Sequence, residues 1–326
     1  MWDSPAPALA MPDLRAHRAG NMGVPYVWRF QAKAPGPHVA VVVLVHGNEP
    51  CGAVALDRLL RRGLRPERGV WTLAFANPDA ALGGRMFGPP ANPVRYLDRD
   101  MNRLWTAPDA AALAGVFSPG REQARVAALA PLLLQADLLL DLHSMQAPSP
   151  PLTLCGRSAR GRDLATRLGD PGWVVADDGH ADGKRLIDHP RFTGPTGTAA
   201  AILIECGQHA APAAGAQAWR ALVRFLALSD TLGAATARTL LAEINAPEMP
   251  PGRPTVVDVT HVIQAETDDF AFVRPFQGLE RIPDAGTLLA LDGRRAIHTP
   301  YDDCILVMPS RTPRRGQTTV RLGRIV

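Results

Sequence analysis

Val41-Val-Val-Leu-Val45-His46-Gly-Asn-Glu49-Pro-Cys-Gly52 is the stretch on which the fold turns. An unbroken apolar run closed by a polar Gly-Asn turn reads as a buried strand. Such a strand delivers its last residue to the carboxyl edge of an open sheet, where α/β proteins place their chemistry. A second delivery is Leu138-Leu-Leu-Asp141-Leu-His143-Ser144. His46, Glu49 and His143 together offer two imidazoles and one carboxylate, which on a single zinc ion leave a fourth position open, as in hydrolytic rather than structural sites. The short zinc motifs H-E-x-x-H and H-x-x-E-H are both incomplete, because Pro50 follows Glu49. The third ligand therefore comes from the second strand, with Asp141 placed to support a ligand from behind.

Working outward, strand patterns cover Val27 to Gln31, His38 to Val45, Val70 to Ala76 and Asp137 to Leu142. Leu152 to Cys155, Trp173 to Ala176 and Ala199 to Glu205 add three more. Helical spacing covers Ala53 to Arg62, Arg121 to Leu134 and one long closing helix from Gln217 to Leu240. This alternation predicts an α/β fold, a sheet flanked by helices. Residues 1 to 25 are rich in Pro and Ala and read as a loosely held arm. The segment from Asn77 to Ser118 is too long for an idle connection and reads as a functional loop region. Prolines 247, 251 and 254 mark a linker. Beyond it come short strands punctuated by Gly, Pro and Asp, the pattern of a small all-β unit. Two domains follow: a catalytic one over 1–248 and a small β domain over 249–326.

At 326 residues, with 46% apolar and 20% charged content, the chain has the composition of an ordinary globular protein. Its net charge of +4 comes from dispersed arginines, without a like-charge block or a basic stripe interleaved with aromatics, so no nucleic-acid partner is expected. No apolar run approaches a membrane span and the N-terminus lacks the pattern of a signal peptide, so a cytoplasmic protein without a membrane partner is expected. Cys51, Cys155, Cys206 and Cys304 show no C-x-x-C spacing, and read as reduced, packed residues.

A zinc peptidase or amidase also needs a carboxylate that does not bind metal, to take a proton from water and pass it to the leaving nitrogen. Glu205 fits, at the end of Ala201-Ile-Leu-Ile-Glu205 and before Cys-Gly-Gln. Apolar surroundings at such a strand end raise a carboxyl pKa. Arg95-Tyr-Leu-Asp98-Arg-Asp100-Met-Asn102-Arg103 gathers cations, carboxylates and an amide inside the long loop. Arginine forks bind carboxylates, and an arginine beside the metal stabilises an oxyanion. Each segment alone has an ordinary structural reading; their combination points to hydrolysis of an amide next to a free carboxylate.

In this order His46-Gly-Asn-Glu49, Asn77-Pro78, Arg95 to Arg103, Asp141-Leu-His143 and Ile204-Glu205-Cys-Gly resemble the succinylglutamate desuccinylase/aspartoacylase family, relatives of the zinc carboxypeptidases. The resemblance implies zinc on His46, Glu49 and His143, and Glu205 as general base and acid. It implies Arg95 polarising the scissile carbonyl, Asn102 and Arg103 holding a substrate carboxylate, and Asp100 orienting its neighbours. It also implies a carboxypeptidase-like mixed sheet followed by the small β domain, and a small N-acyl amino acid as substrate. A carboxypeptidase acting on a peptide or protein tail, and a metal-binding homologue without catalysis, are the rival readings. The segment 177–197 reads as a rim loop whose histidines, His180 and His189, face solvent; His209 reads as a surface histidine at a helix start. The β domain is either an oligomerisation surface, giving a homo-oligomer, or a lid, with Pro300-Tyr301-Asp-Asp-Cys304 reaching over the site. Arg157, Arg185, Arg191 and Tyr301 have no secure counterparts in the family's substrate-binding sets.

Overall fold

The computed structural model describes residues 8–84, 92–106, 120–247 and 252–326. Four parallel strands make its centre: β3 (Arg68–Phe75), β2 (Ala34–Val43), β4 (Leu138–Met145) and β7 (Ala200–Gln208), in that order. β1 (Val27–Gln31) runs antiparallel against β3 at the edge. On the other side β5 (Leu152–Leu154) pairs antiparallel with β7, and β6 (Trp173–Ala176) runs parallel to β5. β8 (Thr255–Gln264) then joins β6 in parallel, followed by β14 (Thr318–Ile325), β13 (Cys304–Val307) and β10 (Glu280–Ile282). The strands beyond Thr255 thus extend the main sheet, which has 11 strands among the described residues. A separate small sheet is built from β12 (Arg295–His298), β11 (Leu288–Asp292) and β9 (Phe270–Phe272). The fold class read from the sequence is the one observed.

The central strands are near-continuous apolar runs because both faces are covered. On one face Val41, Val43, Leu140, Leu142, Ile202 and Ile204 pack with α1 (Pro50–Arg61) and α6 (Pro212–Leu228). On the other, Val42, Leu139, Ala201 and Leu203 meet Leu129 and Leu133 of α3 (Arg121–Leu133). The period of two sends Asp141, His143 and Glu205 to this second face, and β4 and β7 are paired with His143 opposite Glu205.

Three sequence expectations are corrected. The strand read to Val45 ends at Val43, because Leu44 turns into the left-handed region at φ 58°. Such a conformation costs a branched residue about 1–3 kcal/mol; it persists here because Leu44 is fully buried and its carbonyl accepts from the Asn77 N–H. The bend aims His46 across the sheet edge. The long helix from Gln217 to Leu240 is two helices, α6 and α7 (Ala234–Ala242), divided at Asp230, whose φ of 58° is incompatible with a continuous helix. The described part of the N-terminal arm is held rather than loose: Leu14 is buried, and the Leu9 N–H donates to the Ala210 carbonyl. Residues 1–7, parts of the long loop (85–91 and 107–119) and the centre of the expected linker (248–251) lie outside the described residues. No helix among the described residues is long and apolar enough to cross a membrane.

α1 starts immediately after Glu49 and lies close on the sheet: a Cβ on Gly52 would stand 2.9 Å from the Val43 side chain and 3.0 Å from Leu142. Replacing Gly52 by Leu is expected to lift α1 off β2 and β4 and cost about 1–3 kcal/mol. Urea unfolding tests this; an unchanged midpoint would show that the helix is free to move.

Candidate active site

His46 lies just past β2, Glu49 caps the start of α1, and His143 lies near the end of β4. All three are buried, and one ligand atom from each lies within 4.8 Å of the others. The three sequence-predicted ligands therefore come together. His46 Nδ1 is 2.7 Å from Glu49 Oε1, and His143 Nδ1 is 3.0 Å from Glu49 Oε2. Each ring is backed on its far nitrogen by a second carboxylate. His46 Nε2 is 2.9 Å from Asp100 Oδ1, and His143 Nε2 is 3.1 Å from Asp141 Oδ2. The latter approach lacks hydrogen-bond geometry, so both Asp141 oxygens are buried without a hydrogen-bond partner. Two Nδ1 atoms and a carboxylate that converge, with carboxylates behind the imidazoles, are the donor set and outer support of a metal-binding site. The group can hold a metal ion.

The charges explain the directions of titration. Burial opposes ionisation of Glu49, yet the imidazoles of His46 and then His143 hold it well below the usual carboxylate range. Burial likewise opposes protonation of His143, but Asp141 and Glu49 raise it well above the ordinary histidine value. Glu205 shows the opposite balance. Burial and the neighbouring Glu49 charge push its carboxyl up to about 8, against the pull of His143 and Arg95. Its Oε2 is buried without a hydrogen-bond partner.

Asp100 organises the arginine loop. Besides His46 it meets Arg95 Nη2 at 3.2 Å and Arg103 Nη1 at 3.7 Å, and it accepts the Asn102 N–H at 2.9 Å. Arg95 also reaches Glu49, at 3.5 Å. The loop hangs from Glu122 in the first turn of α3, whose buried carboxylate accepts the backbone N–H groups of Leu97, Asp98 and Arg99. Asn77 also donates to Glu122, at 3.1 Å. Glu122 was not singled out in the sequence, where a first-turn acid looks like an ordinary helix-dipole residue.

A cleft of about 580 Å³ opens over these groups. His46, Glu49, Arg95, Asn102, Arg103 and Glu205 line it, so every sequence-predicted site residue except the deeper His143 reaches its wall. Asn102 Oδ1 is buried and has no hydrogen-bond partner. The opposite wall comes from the C-terminal part of the chain: Gln264 at the end of β8, the segment 308–312 and Arg314 between β13 and β14, and Arg321 on β14. The Tyr301 turn is not that wall, since Tyr301 packs on the small cluster around Ile282 and Leu322 and bonds Thr260 at 2.5 Å.

Two histidines are placed differently from expectation. His180 lines the cleft rather than facing solvent. Burial, with Arg103 and Arg321 nearby, pushes its pKa down to about 2, so it is neutral. His209 is half-buried behind the metal-site residues, its Nδ1 2.8 Å from Ser144 Oγ, while the Ser144 N–H donates to Glu49 Oε2 at 3.0 Å. The partly buried His189 caps α5 (Pro190–Thr193) and lies away from the cleft. Cys51 is packing, as read, with its thiol donating to the His143 carbonyl.

Residues 35–165 match the model of the succinylglutamate desuccinylase/aspartoacylase catalytic domain. The resemblance to that family is shown. A succinylglutamate desuccinylase from Vibrio parahaemolyticus aligns in structure with a TM-score of 0.65 at 18% identity, over 93% of this chain and 86% of its own. A succinylglutamate desuccinylase/aspartoacylase from Rhodobacter sphaeroides aligns with 0.62 at 19% identity, over 92% and 88%. The ectoine utilization protein EutE (DoeB) from Ruegeria pomeroyi gives 0.58 at 17%, over 91% and 87%. At these identities the structures establish a shared fold. No curated protein matches the sequence.

If the Asp141 carboxylate, 3.1 Å behind His143 Nε2, supports that ring by its charge, Asp141→Asn is expected to weaken binding of Zn2+, used as probe ion, by about 10–100-fold. Chelator competition reads this directly. Affinity equal to that of the unaltered protein would remove Asp141 from the site.

Proposed function

We propose that the chain is a zinc-dependent amidohydrolase that cleaves the amide of a small N-acyl amino acid or a related carboxylate-bearing amide. The observation that carries this reading is the convergence of His46 Nδ1, His143 Nδ1 and the Glu49 carboxylate, with Glu205 buried on the adjacent strand and Arg95 alongside. Two imidazoles and a carboxylate suit zinc and leave an open position. Bound there, the metal supplies a Lewis acid that makes water nucleophilic at neutral pH and polarises a carbonyl.

The chain's own groups supply the rest. Glu205 faces the cleft from the strand beside His143 and takes the proton released by attacking water, then delivers it to the leaving nitrogen. Its apolar burial keeps proton affinity high enough for both duties. Arg95 offers a guanidinium to the carbonyl oxygen as negative charge develops there. Asp100 fixes Arg95 relative to His46, so the cation and the metal ligands move as one unit. Asn102 and Arg103 hold a substrate carboxylate beside the scissile bond.

A small substrate is favoured over a polypeptide. The cleft volume falls in the range of small-molecule sites, and two segments of its lining meet closely: a Cβ on Gly278 would stand 2.1 Å from Ser149 Oγ.

Glu205→Gln is expected to lower kcat by about 10²–10⁴ while zinc content stays at one equivalent, and His46→Ala is expected to lose both zinc and turnover. The assay is amine release from a panel of N-succinyl, N-acetyl and N-formyl amino acids, alongside peptides of increasing length. Full activity in Glu205→Gln would contradict the proposed proton transfer, and a preference for longer peptides would favour a carboxypeptidase.

A further inference from the structure

The candidate metal-holding residues do not fix the Glu49 carboxylate by themselves. The two imidazoles that touch it are the groups that would share a metal ion with it, and Arg95 comes no nearer than 3.5 Å. The remaining hydrogen-bond donor to this carboxylate among the described residues is a backbone group, the Ser144 N–H, 3.0 Å from Oε2.

That N–H lies at an irregularity between β4 and β7. His143 is opposite Glu205, but Met145 is opposite Gln208, so two steps along β4 match three along β7. The extra residue falls at Cys206-Gly207, where Gly207 takes a φ of 115° that favours glycine. Bulges beside active sites re-aim a group or end a pairing. Here Ser144 leaves the regular ladder, and its N–H turns to Glu49 instead of to a neighbouring strand.

A backbone irregularity can shift unless something fastens it. His209, the first residue after β7, does so twice. Its backbone N–H donates to the Met145 carbonyl at 2.9 Å, and its Nδ1 is 2.8 Å from Ser144 Oγ. The two residues beyond His143 are thus tied to one histidine, Met145 by backbone and Ser144 by side chain. His209 is partly buried and does not line the cleft, so it reaches the site through Ser144 and not through substrate.

We propose that His209 is a positioning residue for the candidate metal site: by fastening the irregularity at Ser144 it fixes the N–H that orients Glu49. This deepens the amidohydrolase reading and rests on it only for treating His46, Glu49 and His143 as metal ligands, not for hydrolysis of any particular amide.

His209→Leu keeps the backbone bond to Met145 and removes the side-chain bond to Ser144. It is expected to weaken binding of Zn2+, the probe ion, about tenfold or more, read by chelator competition, and to alter the visible absorption of the cobalt-loaded protein. His209→Asn, whose amide reaches the position of Nδ1, is expected to restore most of the affinity. Ser144→Ala removes the partner atom without adding bulk and is expected to match His209→Leu. The double variant is expected to lose no more than either single one, because both cut the same bond. Thermal unfolding is recorded for each metal-free protein. A merely structural histidine would lower the unfolding temperature and leave zinc affinity and the cobalt spectrum of the folded protein unchanged.

Unaltered zinc affinity in folded His209→Leu overturns the proposal, as do losses that add in the double variant or an Asn variant no better than the Leu one. If His209→Leu does not fold, Ser144→Ala decides alone. Amide hydrolysis is assayed separately on the same preparations. Zinc affinity that depends on His209, in a protein that hydrolyses no N-acyl substrate, supports the positioning role and sinks the amidohydrolase reading. Hydrolysis with zinc affinity indifferent to His209 sinks the positioning role alone, and an unaltered protein that binds no Zn2+ overturns both.

Discussion

The rest of the site depends on one buried carboxylate. Glu49 stands between two imidazoles, one just past β2 and one on β4, and its buried carboxylate is tolerable because both ring nitrogens approach it. Its oxygens also take the Ser144 N–H and approach Arg95. The end of β2, the start of α1, the end of β4 and the arginine loop are thus tied to a single group. The backbone contributes to the same end: the left-handed turn at Leu44 and the close seat of α1 on Gly52 fix where Glu49 and His46 point.

Around that centre the protein uses carboxylates as struts between cations. Asp100 links His46 to Arg95 and Arg103; Asp141 stands behind His143; Glu122 suspends the loop by three backbone N–H groups. Further out, Asp177 and Asp188 enclose Arg185. Such fixed dipoles and charges keep the cleft polarised without reorganisation, the preorganisation that the proposed hydrolysis would use. Glu205 is buried beside this network with one oxygen unbonded, and its high proton affinity follows from that burial and from the neighbouring Glu49 charge.

The continuation of the main sheet into β8, β14, β13 and β10 gives the C-terminal strands a defined position. Hydrogen-bonded to β6 through β8, they present Gln264, the segment 308–312 and Arg321 to the cleft at fixed height. The wall across the cleft from His46 and Glu49 is consequently part of the same framework as the strands that position them.

The sequence by itself determined the central architecture and the candidate metal-holding group. Short apolar runs rich in β-branched residues and closed by polar turns read as strands buried on both faces, and a period of two decides which of their residues share a face. Asp141, His143 and Glu205 were legible for that reason, and His46 and Glu49 because a turn follows the run at once. The tertiary structure alone decided the supporting groups and the far wall of the cleft. Glu122 looks like a helix-start acid, His209 like a surface residue and Arg321 like the polar face of a strand; only the packing of α3, β7 and β14 shows what they touch. It also decided where the closing helix breaks and which C-terminal segment walls the cleft. These depend on contacts between residues distant in the chain, to which local pattern is blind.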